Sequence, residues 1–470
     1  MRMAGIVGYG TYVPRYRLPR ELIAKEWGQP SLGGERAVAG HDEDSLTLAV
    51  NAALHALPDG HAPEVDAIYF ASTTPPYREK QSAATIAAVL EAPASVRTAD
   101  FGGSLRAATS ALQAGLDAVR GGSRQALVCV GDCRMGEPDT LAEQQYGDAG
   151  AAVVLGGDGA AVIAEVLGAC SLSEEIAGSW RNDEQRYLHG FPGAFENKYG
   201  YTPLVVGAVQ RLLAQAQIAP DAIAKAVIAA PQPRALAAVA KALGLDAKRQ
   251  IQDTLWTLLG DTGATQPLLL LAAALERAKP GELIVVVGYG DGADALLLRT
   301  TDAIATYTPA VSVFSQVERK RLLPSYGVYA RFRKLIRKDS SSDDVSTPVV
   351  LFRDRHTVLS LHGGRCPRCE TVQFPRQRVC IECGHRDGLA DQKLARRGTL
   401  FTFTNDYLFD SPESPTSLGV IDLAGGGRLY MQLTDVDPDQ VEVDMPVELT
   451  FRKIHEGSGL QNYFWKARPA

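Results

Sequence analysis

From residue 1 to about 300, short apolar runs alternate with stretches rich in Ala and Leu. Residues 65–72 read as a strand, 81–90 as a helix and 104–119 as a longer helix. The unbroken apolar run 125–131 has the character of a strand covered on both faces, and 147–156 follows as its neighbour. The pattern then recurs, with a strand at 160–166, a helix at 204–215, a strand at 226–230, helices at 236–243 and 265–278, and paired strands at 282–289 and 293–299. Alternation of this kind predicts layered α/β architecture with its sheet covered on both sides. Each half closes on an apolar strand, a glycine turn and a second strand. The first is Ala126-Leu-Val-Cys-Val-Gly131 followed by 147–155, and the second is Leu283-Ile-Val-Val-Val-Gly288 followed by 292–298. This weak internal duplication is expected of a doubled fold.

Beyond 300 the pattern changes. Residues 318–338 are basic and aromatic, and Asp339-Ser-Ser-Ser-Asp-Asp344 has linker composition. Short strand-like runs follow at 399–404, 418–422, 428–433 and 447–451, parted by turns at 425–427 and 435–439, as in a small barrel. The expected division is an α/β domain over 1–305, a basic helical segment and linker over 306–348, a cysteine ribbon over 349–390 and an OB-type barrel over 391–470. A length of 470 residues suits two or three domains. The net charge of −6 argues against nucleic acid as a partner. No apolar run reaches membrane-spanning length, and no signal-peptide pattern precedes the first strand at Gly5–Gly10, so a cytoplasmic protein without a membrane partner is expected.

Four of the seven cysteines form Cys366-Pro-Arg-Cys369 and Cys380-Ile-Glu-Cys383. Two such knuckles can hold one ion with four thiolates, as structural zinc is held; two unrelated pairs or a redox site is the alternative. Four thiolates leave no open position, so a catalytic metal is not expected there. Cys129, Cys133 and Cys170 carry no motif and read as packing.

The segment Ala99-Asp-Phe-Gly-Gly-Ser-Leu-Arg-Ala-Ala-Thr-Ser-Ala-Leu112 is a strand end, a glycine pair and a small-residue helix. It resembles the turn on which the thiolase superfamily carries a nucleophilic cysteine at a helix N-terminus. The opening Gly5-Ile-Val-Gly-Tyr-Gly-Thr-Tyr-Val-Pro-Arg-Tyr-Arg-Leu18 is similar to that of the archaeal-type 3-hydroxy-3-methylglutaryl-CoA synthases in this superfamily. So are Trp180-Arg-Asn-Asp-Glu-Gln-Arg-Tyr-Leu-His-Gly190 and the glycine turns at 147–152 and 288–292. The resemblance covers about 4–300 and implies a thiolase-like α/β/α/β/α fold, acyl-CoA as substrate and a homodimer, with a thiolase or a hydratase as possible partner class. The family's catalytic positions fall on other residues. The nucleophilic cysteine matches Leu105, the general-base glutamate matches Thr73, the histidine matches Ala229 and the asparagine matches Asp261. The ribbon and barrel, over about 320–465, resemble small zinc-ribbon/OB-fold proteins that pair with thiolases, synthases and aldolases of the superfamily and dock over the acyl-CoA tunnel.

A leucine cannot attack a thioester. The expectation is therefore a carbon–carbon bond enzyme without an acyl-enzyme step, and retro-aldol cleavage of a β-hydroxyacyl-CoA is the natural reaction. Thiolase-like aldolases of steroid side-chain breakdown, which also lack the cysteine and use tyrosines, resemble this case. Two alternatives stand beside it: a synthase-like condensing acyltransferase with an unrecognised nucleophile, and a non-catalytic acyl-CoA-binding scaffold. Tyr289 and Asp261 are the acid/base candidates, against the readings of a turn-anchoring tyrosine and a helix N-cap. Tyr146 and His189 are weaker candidates, with core packing and a structural hydrogen bond as their alternatives. Ser104 and Gly263 are candidates for contact with coenzyme A in the pocket, and Arg331 and Lys334 for contact with its phosphates.

Overall fold

The computed structural model describes residues 3–57, 60–157, 159–190, 193–336, 346–386, 388–409 and 411–470. The linker expected at 339–344 lies outside the described residues. Contacts divide the chain into two units, Met1–Gly40 with Asp44–Tyr329, and His41–Glu43 with Ala330–Ala470.

The first unit is built on a nine-stranded mixed sheet. One half runs Arg97–Phe101, Val65–Ala71, Gln125–Cys133, Asp148–Gly157 and Ala4–Tyr12; the other runs Ala164–Ser173, Gly292–Thr300, Leu283–Tyr289 and Ile223–Ile228. Two residue pairs join the halves, Gly5 with Glu165 and Ile6 with Ala164. The duplication seen in the sequence is a repeat of pairing. Val65–Ala71 lies parallel to Gln125–Cys133, which lies antiparallel to Asp148–Gly157. Likewise Ile223–Ile228 lies parallel to Leu283–Tyr289, which lies antiparallel to Gly292–Thr300.

Helices Ala107–Arg120 and Gln266–Leu275 share one buried cluster with residues of both sheet halves. Every residue of Gln266–Leu275 is buried, which its sequence, Gln-Pro followed by eight Leu or Ala residues, permits. Ser45–Ala56 is buried at every position except His55 and opens with a reciprocal cap, Asp44 accepting from the Thr47 backbone N–H and Thr47 accepting from the Asp44 N–H. The strand expected at 160–166 begins instead at Ala164 and runs to Ser173. Residues 160–163 form a turn, with Ala160 N–H bonded to Gly157 O, and Ile163 N–H is taken by Ile6 O at 2.7 Å.

In the second unit, a three-stranded sheet (Val372–Gln373, His362–Arg365, Ala390–Lys393) carries the cysteine knuckles. A five-stranded sheet follows in the order Arg428–Gln432, Thr416–Leu423, Arg397–Asp406, Pro446–Gly457 and Leu460–Pro469. Its end strands meet through the Leu433–Ala467 bridge and the bond from Thr434 N–H to Ala467 O at 2.8 Å, which closes the barrel. No helix among the described residues is long and apolar enough to cross a membrane.

Candidate active site

The turn after Arg97–Phe101 needs a left-handed residue at Gly103 (φ 77°), and it delivers Ser104 and Leu105 just ahead of helix Ala107–Arg120. The turn after Leu283–Tyr289 packs against it. Ser104 Oγ donates to Gly290 O at 2.9 Å. A Cβ on Gly290 would lie 2.6 Å from Ser104 Oγ and 2.9 Å from Leu105 N, so only glycine permits this approach. The two turns form one wall of a cavity of about 120 Å³ whose lining includes Leu105, Arg134, Ile176, Glu196 and Tyr289.

Tyr289 is buried, and its ring meets Tyr201 edge-on at 5.1 Å. Its hydroxyl finds no partner with good hydrogen-bond geometry, yet burial and then the nearby Glu196 carboxylate hold its pKa well above the ordinary phenol value. Burial likewise pushes the Glu196 carboxyl up, against the pull of Tyr289 and Arg134.

Asp261 is not free to act. Its Oδ2 takes a hydrogen bond from Arg134 at 2.9 Å and its Oδ1 one from Gly263 N–H at 2.9 Å; both charged side chains are buried. Burial raises the Asp261 carboxyl while the guanidinium pulls it down. Burial disfavours the Arg134 charge too, but Tyr146, Asp261 and Asp132 outweigh that and keep it a cation. Arg134 also lies over the Tyr146 ring, 4.3 Å from its centroid.

Thr73 is held by Asp132, its hydroxyl donating at 2.9 Å and its N–H at 2.7 Å. Asp132 further accepts from Ser72, Thr74 and Ala264 N–H, so it is a structural knot beneath the pocket. Ala229 offers only backbone, its carbonyl accepting from Tyr201 at 3.0 Å.

The cavity thus brings together Tyr289, Ser104, Leu105 and Thr73 among the residues singled out in the sequence, with Asp261 behind it through Arg134. Tyr146 meets the site through the same arginine. His189 lies exposed on a two-stranded ribbon and stacks on Trp180 at 6.4 Å. Gly263 is buried, and a Cβ there would lie 2.5 Å from Asp132 Oδ2. Arg331 and Lys334 are exposed residues of the second unit, Lys334 within 3.6 Å of Glu456.

Two site residues escaped sequence reasoning. Arg134 follows the carboxyl end of strand Gln125–Cys133, a place where α/β sheets bind ligands, and that was its one available signal. Glu196 ends the short helix Gly193–Glu196, which carries no motif.

The four thiols of the ribbon lie within 4.8 Å of one another, with Cys366 and Cys383 sulfurs 3.7 Å apart and Cys369 and Cys380 sulfurs 3.5 Å apart. Four thiolates at about 2.3 Å from a tetrahedral ion would be about 3.8 Å apart, so the donor set fits zinc. The two knuckles share one hydrogen-bond pattern. Cys366 N–H bonds Thr371 O and Glu370 N–H bonds Cys366 O; Cys380 N–H bonds His385 O and Gly384 N–H bonds Cys380 O. Glu370 (φ 61°) and Gly384 (φ 67°) occupy equivalent left-handed positions.

The fold defines a thiolase-like protein with a zinc ribbon and an OB-fold domain. Residues 213–299 match the family model of the 3-oxoacyl-[acyl-carrier-protein] synthase III C terminal. Residues 360–390 match that of the ChsH2 rubredoxin-like zinc ribbon domain, and 391–452 that of the ChsH2 C-terminal OB-fold domain. The chain is 32% identical over 346 residues to the hydroxymethylglutaryl-CoA synthase of Methanopyrus kandleri, covering 71% of this chain and 98% of the relative. It is 33% identical over 341 residues to that of Thermococcus gammatolerans, covering 71% and 97%. The fold matches a structure of MvaS in complex with 3-hydroxy-3-methylglutaryl coenzyme A (TM-score 0.64, 17% identity, 74% of this chain and 95% of that one). It also matches FabH from Pseudomonas aeruginosa (TM-score 0.57, 22% identity, 64% and 98%). The chain belongs to the hydroxymethylglutaryl-CoA synthase family.

Proposed function

We propose that this protein makes or breaks a carbon–carbon bond next to a coenzyme A thioester without forming an acyl-enzyme. The reaction is aldol-type, and cleavage of a β-hydroxyacyl-CoA is the reading favoured by the site. One observation carries it: Leu105, which the family resemblance matches to the nucleophilic cysteine, lines a pocket together with the phenol of Tyr289, the carboxylates of Glu196 and Asp291 and the guanidinium of Arg134. In cleavage, Glu196, acting directly or through Tyr289, removes the β-hydroxyl proton. The bond between Cα and Cβ breaks, Cβ becomes a carbonyl carbon, and the electron pair passes to the thioester as an enolate. Proton return to Cα from the same pair gives the shortened acyl-CoA. Arg134, kept cationic by Asp261, stabilises the negative charge on oxygen. The same groups serve addition in reverse.

The family favours a second reading, condensation in the manner of the synthases, because the curated relatives carry that name. It requires a nucleophile other than residue 105. Ser104 is poorly placed for it, since its hydroxyl is engaged by Gly290 O and no histidine lines the cavity among the described residues. Incubation with a β-hydroxyacyl-CoA should release a carbonyl product and a shorter acyl-CoA, and Tyr289→Phe should abolish the release. Intact-protein mass spectrometry after exposure to acetyl-CoA should show no adduct; a stoichiometric acyl adduct would establish the synthase reading instead. We further assign structural zinc to Cys366, Cys369, Cys380 and Cys383, where it would fix the ribbon and take no part in the reaction. A homodimer is proposed from the family resemblance.

A further inference from the structure

The reacting cavity is small, about 120 Å³, and beside it lies a concave groove of about 580 Å³ lined by Ile176, Ala177, Phe195, Tyr199, Pro203 and Leu204. That size falls within the range of about 300–1,000 Å³ typical of small-molecule sites. The two spaces share Ile176, and Phe195 of the groove precedes Glu196 of the cavity. Gly200 packs under Ile176 and Tyr289. A Cβ there would meet Ile176 Cδ1 at 2.5 Å and Tyr289 Oη at 2.6 Å, so only glycine lets Ile176, which faces both spaces, pack this close beside the phenol. Phe195 and Tyr199 leave about half their surface in solvent (48% and 57%) while packing on each other at 5.1 Å. Large apolar side chains held in contact, half-exposed and concave mark a binding surface rather than a core. The rim adds two exposed carboxylates, Glu174 and Glu175, which would repel an anionic end group.

We propose that this groove receives the distal part of the acyl group, and that the substrate is a thioester bearing a bulky, uncharged hydrocarbon arm rather than an acetate-sized or carboxylate-ended one. This rests on the aldol-type reading for which end of the ligand reacts, but the groove's preference can be measured without turnover. The reacting carbons fill the cavity beside Tyr289, and the arm crosses Ile176 to lie on Phe195, Tyr199 and Leu204.

The test is direct binding of unreactive thioesters to the full-length protein by calorimetry: acetyl-CoA, decanoyl-CoA, and glutaryl-CoA as the carboxylate-ended probe. Burial of a methylene is worth roughly a factor of four, so even a partly filled groove should favour decanoyl-CoA over acetyl-CoA by at least about tenfold, with glutaryl-CoA no tighter than acetyl-CoA. Tyr199→Ser and Leu204→Ser should erase most of that preference while leaving acetyl-CoA affinity, which also reports correct folding, within about twofold. Equal affinity for acetyl- and decanoyl-CoA, or tighter glutaryl-CoA, overturns the groove assignment even if cleavage is observed. A decanoyl preference with no cleavage of any β-hydroxyacyl-CoA leaves the groove standing and removes the aldol reading.

Discussion

Asp261→Asn separates two roles for one residue. It restores the asparagine that the family resemblance places at this position, so a sequence argument expects it to be harmless. The structure expects otherwise, because Arg134 is a buried cation whose carboxylate partner sits 2.9 Å away. Two unit charges about 4 Å apart interact by about 4 kcal/mol at an effective dielectric of about 20. Breaking a buried pair by removing one partner typically costs about 3–5 kcal/mol. Here part of the loss is returned. The asparagine oxygen still accepts a hydrogen bond, Asp132 adds negative potential, and the Tyr146 ring lies 4.3 Å from the guanidinium carbon. We therefore expect a net destabilisation of about 2–3 kcal/mol. The chain has two units, so global melting is not two-state. Amide exchange of strand Gln125–Cys133, which leads into Arg134, is the better readout. The double variant Arg134→Met/Asp261→Asn should recover stability relative to Asp261→Asn alone, because it removes the uncompensated charge. If Asp261 were instead the catalytic base, Asp261→Asn would abolish turnover with protection unchanged. Unchanged protection, or a double variant less stable than the single one, refutes the ion-pair argument.

Other outcomes follow from the same geometry. Because burial raises the Glu196 carboxyl and the base must be ionised, kcat/KM for cleavage should fall as pH drops through a midpoint above the usual carboxylate value of about 4.3; Glu196→Gln should remove that limb and lower the rate by about 10²–10⁴. Metal analysis of purified protein should give one zinc per chain, and Cys380→Ser should lose it together with exchange protection in His362–Arg365. Arg452 is fully buried in the second unit, within 2.8 Å of both Glu43 and Asp435; Arg452→Met leaves those carboxylates short of a cation and should destabilise that unit by about 3–5 kcal/mol in denaturant unfolding. His41, in the same unit, faces Asp42, Lys466, Lys453 and Arg452, and burial lowers its pKa from 6.5 to about 4. The unfolded chain therefore binds the proton first, and up to about 3 kcal/mol of stability should be lost between pH 6.5 and 4, a dependence that His41→Gln should flatten.

What could be read from the sequence was what the sequence keeps local. The four thiols come in two knuckles of four residues each, so their spacing is already most of their geometry, and the shared hydrogen-bond pattern adds only the proof that both turns are alike. The turn that carries Leu105 was legible for the same reason, because strand end, glycine pair and helix start are contiguous around it. Helix Ser45–Ala56 was not announced, since a helix buried almost all round has no polar face to set a period of 3.6. The strand at Ala164–Ser173 was cut short because its later half, Gly168-Ala-Cys-Ser-Leu-Ser173, is mostly small residues, and its pairing with Gly292–Thr300, not its apolar content, holds it in the sheet.

The candidate site was half legible, and the missing half carries the proposed chemistry. Tyr289 stands on a recognisable turn, so its place could be anticipated. Arg134 and Glu196 reach the same cavity from more than 60 residues apart in the chain, and only the fold brings them together. Once they are present, Asp261 changes meaning: alone in the sequence it is a plausible base, but beside a buried guanidinium it is a counter-ion. In the proposed reaction the proton-handling role then passes to Glu196, a cavity carboxylate that burial raises and that bears directly on the phenol. That reassignment is why replacing Asp261 should cost stability, whereas replacing Glu196 should cost rate.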